Sequence, residues 1–328
     1  MKERKIKQLL HFFGDHACLA GLIIMVIIAT AVNPSFLTLV NISNVLRQMS
    51  TTSIMALGMA AVIICGSIDL CVGSLYCLSA FISIYLAQYN IYLAIFGTLI
   101  FSTMIGLLNG IIITKMKIHQ WIATLSMMLA LRGLVLILTN ENTYKPAVSN
   151  PSFEAIARQD ILKYLNWPII IMVVLTFALG FFLKYVKAGR EMYATGSSFE
   201  AAQMMGVKTD FTFCLAHMIS GFMTGVSGII LASRIGSVSP LAGDGAEMYA
   251  IAACVVGGVH LSGGRGKISN VFVGAVIIGL LTNIFNMQSV LSTFWESVIT
   301  GSLVLIVVLV QSIITIREER KRKITDVV

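Results

Sequence analysis

Residues 184–210 read KYVKAGREMYATGSSFEAAQMMGVKTD, a polar interruption between two long apolar runs, and that contrast sets the reading of the whole chain. Lys184, Lys187, Arg190 and Lys208 frame it. Ser197 followed three residues later by Glu200 has the spacing of a capping box, in which each side chain satisfies an orphan N–H at a helix start, so Ser197 is the expected N-cap. Ala201, Ala202, Gln203, Met204 and Met205 favour helix, and Gly206 supplies the left-handed residue that commonly follows one. The expected product is a helix of about two turns, which is marginal alone in water. Such an element exists to dock, and the economical partner is another protein chain at a membrane surface.

The frame around this stretch is a membrane protein. The chain has 328 residues, 57% of them hydrophobic and 12% charged, with a mean hydropathy of +0.89, far outside soluble composition. Apolar runs near spanning length fall at 17–32, 50–66, 70–87, 91–114, 121–139, 168–186, 211–232, 247–260, 270–285 and 294–315. The expectation is an all-α polytopic fold of about ten transmembrane helices forming one domain over 1–328. The net charge of +8 does not point to nucleic acid, because the basic residues are scattered through short interhelical segments with no aromatic-interleaved basic face.

Topology explains that charge. With the N-terminus cytoplasmic, the inside segments hold Lys2, Arg4, Lys5, Lys7, Lys115, Lys117, Lys184, Lys187, Arg190, Lys208, Arg265, Lys267, Arg317, Arg320, Lys321, Arg322 and Lys323. The outside segments hold Arg47, Lys145, Arg158, Lys163 and Arg234. Seventeen against five places both termini inside, makes 187–210 a cytoplasmic loop and 140–167 an outside loop, either a plain connection or a contact for a soluble partner. Trp121, Trp167 and Trp295 begin spans, as interfacial anchors do. MKERKIK ahead of the run from Ala17 imitates a signal peptide, with Ala29-Thr30-Ala31 as a mock cleavage site, but an uncleaved first span is expected.

No catalytic or metal-binding constellation emerges. His11, His16, His119, His217 and His260 are dispersed, and Cys18, Cys65, Cys71, Cys77, Cys214 and Cys254 lack ligand spacing and read as small core residues. Gly264-Arg265-Gly266-Lys267 is not a phosphate loop, since Leu261 and Ile268 stand where that motif needs Gly and Ser or Thr. Gly106-x-x-x-Gly110 and Gly221-x-x-x-Gly225 let helices approach closely. AAVIICGSIDLCVGS and AACVVGGVHLSGGRG both run from an Ala/Val stretch into a glycine-rich break, a faint internal repeat.

Four polar residues stand out in or beside spans. Asp69 reads either as an N-cap of the third span or as a gate residue. Arg132 lies well inside the fifth span and requires a partner or a watery cavity, with Asp244 and Glu247 better placed to pair with it than Asp69. Asn109 and Asn283 read as interhelical hydrogen bonds or as cargo contacts.

These residues carry a resemblance across nearly the whole chain. Gly66-Ser67-Ile68-Asp69-Leu70-Cys71-Val72-Gly73-Ser74, Thr124-Leu125 through Arg132-Gly133-Leu134, Gly189-Arg190 with Tyr193-Ala194, Gly196, Ala201-Ala202 and Gly206-Val207, and Ala250-Ile251-Ala252-Ala253 through Gly263-Gly264-Arg265-Gly266 resemble the ribose-type permeases, the membrane subunits of bacterial ATP-binding-cassette sugar importers. Ser67 and Cys71 replace that family's Gly and Ser, Gln120-Trp121 its Pro-Phe, and Ser197-Ser198 its Gly-Asn.

The resemblance implies an inner-membrane permease that carries a monosaccharide delivered by a periplasmic binding protein. It implies pairing with a second copy or a paralogue, and no cofactor in this chain, ATP and Mg being bound by a cytoplasmic ATPase partner. Gly189, Arg190, Ser197, Glu200, Ala201, Ala202 and Gly206 would couple to that ATPase, and Asp69, Asn109, Arg132 and Asn283 would line or gate the path. A self-sufficient secondary transporter is the alternative.

Overall fold

The computed structural model describes residues 18–31, 34–287, 295, 298–303, 305–309 and 313. The basic segments 2–7 and 317–323 lie outside the described residues. Thirteen helices are named among the described residues: α1 Cys18–Ala31, α2 Leu39–Ile64, α3 Val72–Ala87, α4 Ile91–Lys115, α5 Gln120–Thr139, α6 Pro151–Arg158, α7 Trp167–Tyr185, α8 Lys187–Ser197, α9 Phe199–Met204, α10 Thr209–Ile235, α11 Ala246–Val256, α12 Ile268–Met287 and α13 Val298–Leu309. A two-stranded antiparallel hairpin, β1 Asp160–Leu162 and β2 Leu165–Asn166, is the sheet. Five helices, α4, α5, α7, α10 and α12, are long and apolar enough to cross a membrane. The chain is an all-helical, multi-pass membrane protein.

Most helix ends fall within a few residues of the apolar runs; α2 does not. It begins at Leu39, eleven residues before the run at 50–66, because Asn41, Asn44, Arg47 and Gln48 lower the hydropathy of its first half. Thr38 caps it, its Oγ1 accepting from Asn41 N at 3.3 Å.

Helix α10 is the centre of the bundle, packed on α2, α3, α4 and α6. The two small-residue motifs meet there. A Cβ at Gly106 would run into the His217 carbonyl of α10, and one at Gly221 would run into the Ser102 carbonyl of α4. The same Cβ at Gly221 would also lie 3.3 Å from Gly106 Cα. The helices therefore touch backbone to backbone, as association inside lipid requires when no hydrophobic force separates helix from lipid.

The faint repeat has a structural counterpart. Helix α2 ends with Cys65, Gly66 and Ser67 donating to the carbonyls of Ala61, Ile63 and Val62; α11 ends with Gly257, Gly258 and Val259 donating to Ala253, Val255 and Cys254. The two patterns superpose at a constant offset, with left-handed glycines at the same place, Gly66 at φ 87° and Gly258 at φ 79°. Both breaks then turn into a new helix, and they contact each other, Gly264 N donating to Ile64 O at 2.9 Å.

The segment 140–166 is a folded cap rather than a plain connection. Asn150 Oδ1 accepts from Phe153 N at 3.2 Å to start α6, and its Nδ2 donates to Ala87 O of α3 at 2.8 Å. Ser233 of α10 donates to Phe153 O at 2.7 Å and accepts from Ala157 N at 2.9 Å. Arg47 of α2 pairs with Asp160, so the cap ties three helices together at one end of the bundle.

Candidate functional site

At the opposite end, the polar stretch folds into two helices. Helix α8 was not expected; its Met192 and Thr195 are buried against the bundle while Lys187 and Arg190 stay exposed. Gly196 sits so close to Ile64 O and to Gly264 N that a Cβ there would clash with both, which locks α8 onto the two helix breaks. Tyr193 Oη donates to Gly266 O at 2.9 Å, and partial burial raises the Tyr193 phenol above its ordinary pKa, keeping it a neutral donor.

The cap of α9 is one residue later than expected. Ser197 is the last residue of α8 and its Oγ donates to Tyr193 O at 2.8 Å, whereas Ser198 Oγ accepts from Ala201 N at 3.3 Å as the N-cap of Phe199–Met204. Glu200 then lies in the first turn, where the helix dipole favours a carboxylate, but outside a capping-box register. Gly206 follows at φ 82°, with Val207 N donating to Ala202 O at 3.0 Å. Six residues of helix hold only through packing: Ala202 is buried, and Phe199 stacks edge-on against Phe213 of α10 with ring centres 5.9 Å apart. Met204 and Met205 project outward, 88% and 72% exposed.

A second cluster is wholly internal. Asp69 accepts through Oδ1 from Cys71 N at 3.1 Å and through Oδ2 from Ser220 Oγ at 3.0 Å; His217 places Nε2 3.1 Å from Ser67 Oγ and Nδ1 3.7 Å from Asp69 Oδ2. Asn109 Nδ2 donates to Cys71 Sγ at 3.1 Å. The N-cap of α3 is Cys71 rather than Asp69, although Asp69 does accept a backbone N–H at that turn. The order Ser, His, Asp resembles a hydrolytic triad, yet Asp69 and His217 are 0% exposed and Ser67 is 1% exposed, which gives a substrate no approach. The cluster instead joins the break before α3 to α10 and α4.

Arg132 meets Asp244, Nη2 to Oδ1 at 2.6 Å, with Glu247 buried at the start of α11 nearby. Asn283 of α12 pairs with Asn41 of α2 at 3.5 Å in both directions.

One polar surface was missed. Asn41, Asn44, Gln48 and Thr52 recur at helical spacing along one face of α2; Asn44 and Gln48 are exposed, and Gln48 and Thr52 line a cleft of about 160 Å³ with Tyr249 of α11 and Thr282 of α12. The period of those four residues was visible in the sequence. So was the seam of Thr212, His217, Ser220, Thr224 and Ser227 that faces inward on α10.

With this geometry in place, the chain's residues 41–309 match the family described as the permease component of the branched-chain amino acid transport system. The chain belongs to that permease family. It is 38% identical to the ribose import permease protein RbsC of Bacillus subtilis over 291 residues, 88% of this chain and 90% of that one. It is 34% identical to the RbsC of Haemophilus influenzae over 306 residues, 92% and 94% of the two chains, and 30% identical to the xylose transport system permease protein XylH of Escherichia coli K12 over 351 aligned positions, 88% and 89%. No solved structure matches the chain. The polar face of α2 and the α8–α9 pair, with its exposed Met204 and Met205, are two distinctive surfaces of this permease.

Proposed function

We propose that the chain is the membrane-spanning subunit of an ATP-binding-cassette importer for a monosaccharide or a related small polar solute, as the names of its ribose and xylose relatives suggest. The observation that carries the reading is the α8–α9 pair: a short helix held on a rigid seat, presenting two exposed methionines beside Glu200 and Gln203 at an aqueous end of the bundle. Methionine side chains adapt to an apolar partner surface. A cytoplasmic ATPase that binds ATP and Mg is that partner, with Gly189, Arg190, Ser197, Ser198, Glu200, Ala201, Ala202 and Gly206 shaping the contact. Both termini are cytoplasmic, the membrane is the bacterial inner membrane, and the cap at 140–166 receives the binding protein.

The path runs along the exposed polar face of α2, closed by a second copy or a paralogue, since polar side chains on a spanning helix avoid lipid and face a cavity or a partner helix. Arg132 lies at its margin. Asp69 and Asn109, buried inside one subunit, hold the break before α3.

Gly206→Val tests the coupling. At φ 82° a β-branched residue costs on the order of 1 to 2 kcal/mol, and a Cβ there meets nothing, so the strain acts only on the exit from α9. The variant should reach the membrane in normal amount yet lose uptake and cargo-stimulated ATP hydrolysis together. Wild-type values for uptake and for copurified ATPase would show that this element does not couple.

A further inference from the structure

A large groove lies away from the polar face of α2 and meets α8 at one end. It has a volume of about 840 Å³ and runs between α7 and α12, walled by Val173, Phe177, Phe181, Ile268 and Phe272. Phe177 and Phe181 are 75% and 62% exposed. Along α7 the groove extends from Val173 to Tyr185, about 18 Å at the helical rise, close to the roughly 15 Å depth of one leaflet of a bilayer's hydrocarbon core. Its mouth at the α8 end carries Lys184, Arg190 and Lys267, with Tyr193 and Ser269 beside them.

Three cations at that mouth lack an acidic partner among the described residues. The ion pairs there are Lys187 with Glu191, one turn along α8, and Lys115 with Asp210 on other helices. Lys184 Nζ instead lies 5.0 Å from the Tyr185 ring centre, and Arg190 Nη1 donates to Tyr185 O at 2.8 Å. Both arrangements leave positive charge free to meet an anion. An apolar trough one leaflet long, capped by three uncompensated cations, has the shape and charge of an anionic phospholipid.

We propose that this groove binds an anionic phospholipid of the adjoining leaflet, its acyl chain lying along Phe177 and Phe181 and its phosphate held by Lys184, Arg190 and Lys267. The contact with Arg190 and Tyr193 puts the headgroup against α8, so a bound lipid steadies the seat of the α8–α9 pair. The chain's own basic end segments, lying outside the described residues, would be repelled from the same mouth.

The test uses the purified full-length protein titrated with phosphatidylglycerol or phosphatidylcholine, reading thermal stability and lipid retention by native mass spectrometry. Phosphatidylglycerol should raise the melting temperature and stay bound, and phosphatidylcholine should do neither. Lys184→Gln with Lys267→Gln, both exposed and outside the ion pairs of the described residues, should weaken phosphatidylglycerol roughly thirtyfold. Gly180→Leu, which fills the trough without changing charge, should abolish retention. Equal binding of the two lipids, full affinity in the double variant, or a groove occupied by a second copy with no lipid preference would overturn the proposal.

Discussion

A guanidinium at position 132 has to be neutralised, because a charge near the middle of a spanning helix costs about 2.5–3.5 kcal/mol on insertion scales. Asp244 supplies the counter-charge, but the side chains are 30% and 61% exposed, so the pair itself is worth no more than about 1 kcal/mol. Its value lies in position: it ties α5 to the turn that leads into α11, on the margin of the proposed path. Arg132→Leu should therefore insert in normal amount and transport poorly. Asp244→Arg combined with Arg132→Asp should recover much of the uptake, whereas each single change lowers it. If the reversed pair stays as poor as Arg132→Leu, the arginine acts on cargo and not as a clamp. Sequence already pointed to Asp244 and Glu247 here, because a buried charge demands a partner and few acids lie on that side. It could not separate Ser197 from Ser198, since adjacent hydroxyls offer the same cap and only the end of α8, itself unforeseen, decides between them. The resemblance held the answer: Asn, another good cap, stands at the second of those positions in ribose-type permeases.

Helix α2 shows why some elements were legible and others half hidden. Hydropathy finds helices that are apolar along their whole length, whether they face lipid or the core, so α4, α5, α7, α10 and α12 emerged with ends correct to within a few residues. A helix that turns a polar face to a cavity is discounted by the same measure, and Asn41, Asn44 and Gln48 erased the first half of α2. Helix α8 was lost for the opposite reason: its charged face and its two glycines read as loop, while its helicity comes from burying Met192 and Thr195. The polar face of α2 makes its own prediction. In a background with Cys18 and Cys214 replaced by serine, the other four cysteines being buried, Gln48→Cys and Thr52→Cys should react with a polar thiol reagent and be shielded by cargo. Ile54→Cys, at a wholly buried position of the same helix, should stay unreactive. Failure of Gln48→Cys and Thr52→Cys to label would place this face against lipid or sealed protein and remove α2 from the path.

At the scale of the whole molecule, the fold sorts the basic residues by end. Lys115, Lys117, Lys184, Lys187, Arg190, Lys208, Arg265 and Lys267 gather where α8 seats on the two helix breaks. Arg47, Lys145, Arg158, Lys163 and Arg234 gather around the cap at 140–166, where Arg158 Nε donates to Arg234 O at 2.9 Å and Arg47 pairs with Asp160. The described residues alone give eight against five, a modest bias; the basic segments at 2–7 and 317–323 raise it to seventeen if both fall on the α8 side, and the ten crossings expected from the sequence would put the two segments on one side together. The orientation thus rests on the charge rule acting on short loops and on the parity of the crossings. Both premises are open to one measurement. Reporter domains fused after Lys145 should signal outside the cytoplasm, and those fused after Lys187 inside it. Signals on the same side at both positions would mean an even number of crossings between them, which would remove α7 as a span. Reversed signals would keep the bundle but turn it over, and would put the α8–α9 pair out of reach of any cytoplasmic ATPase.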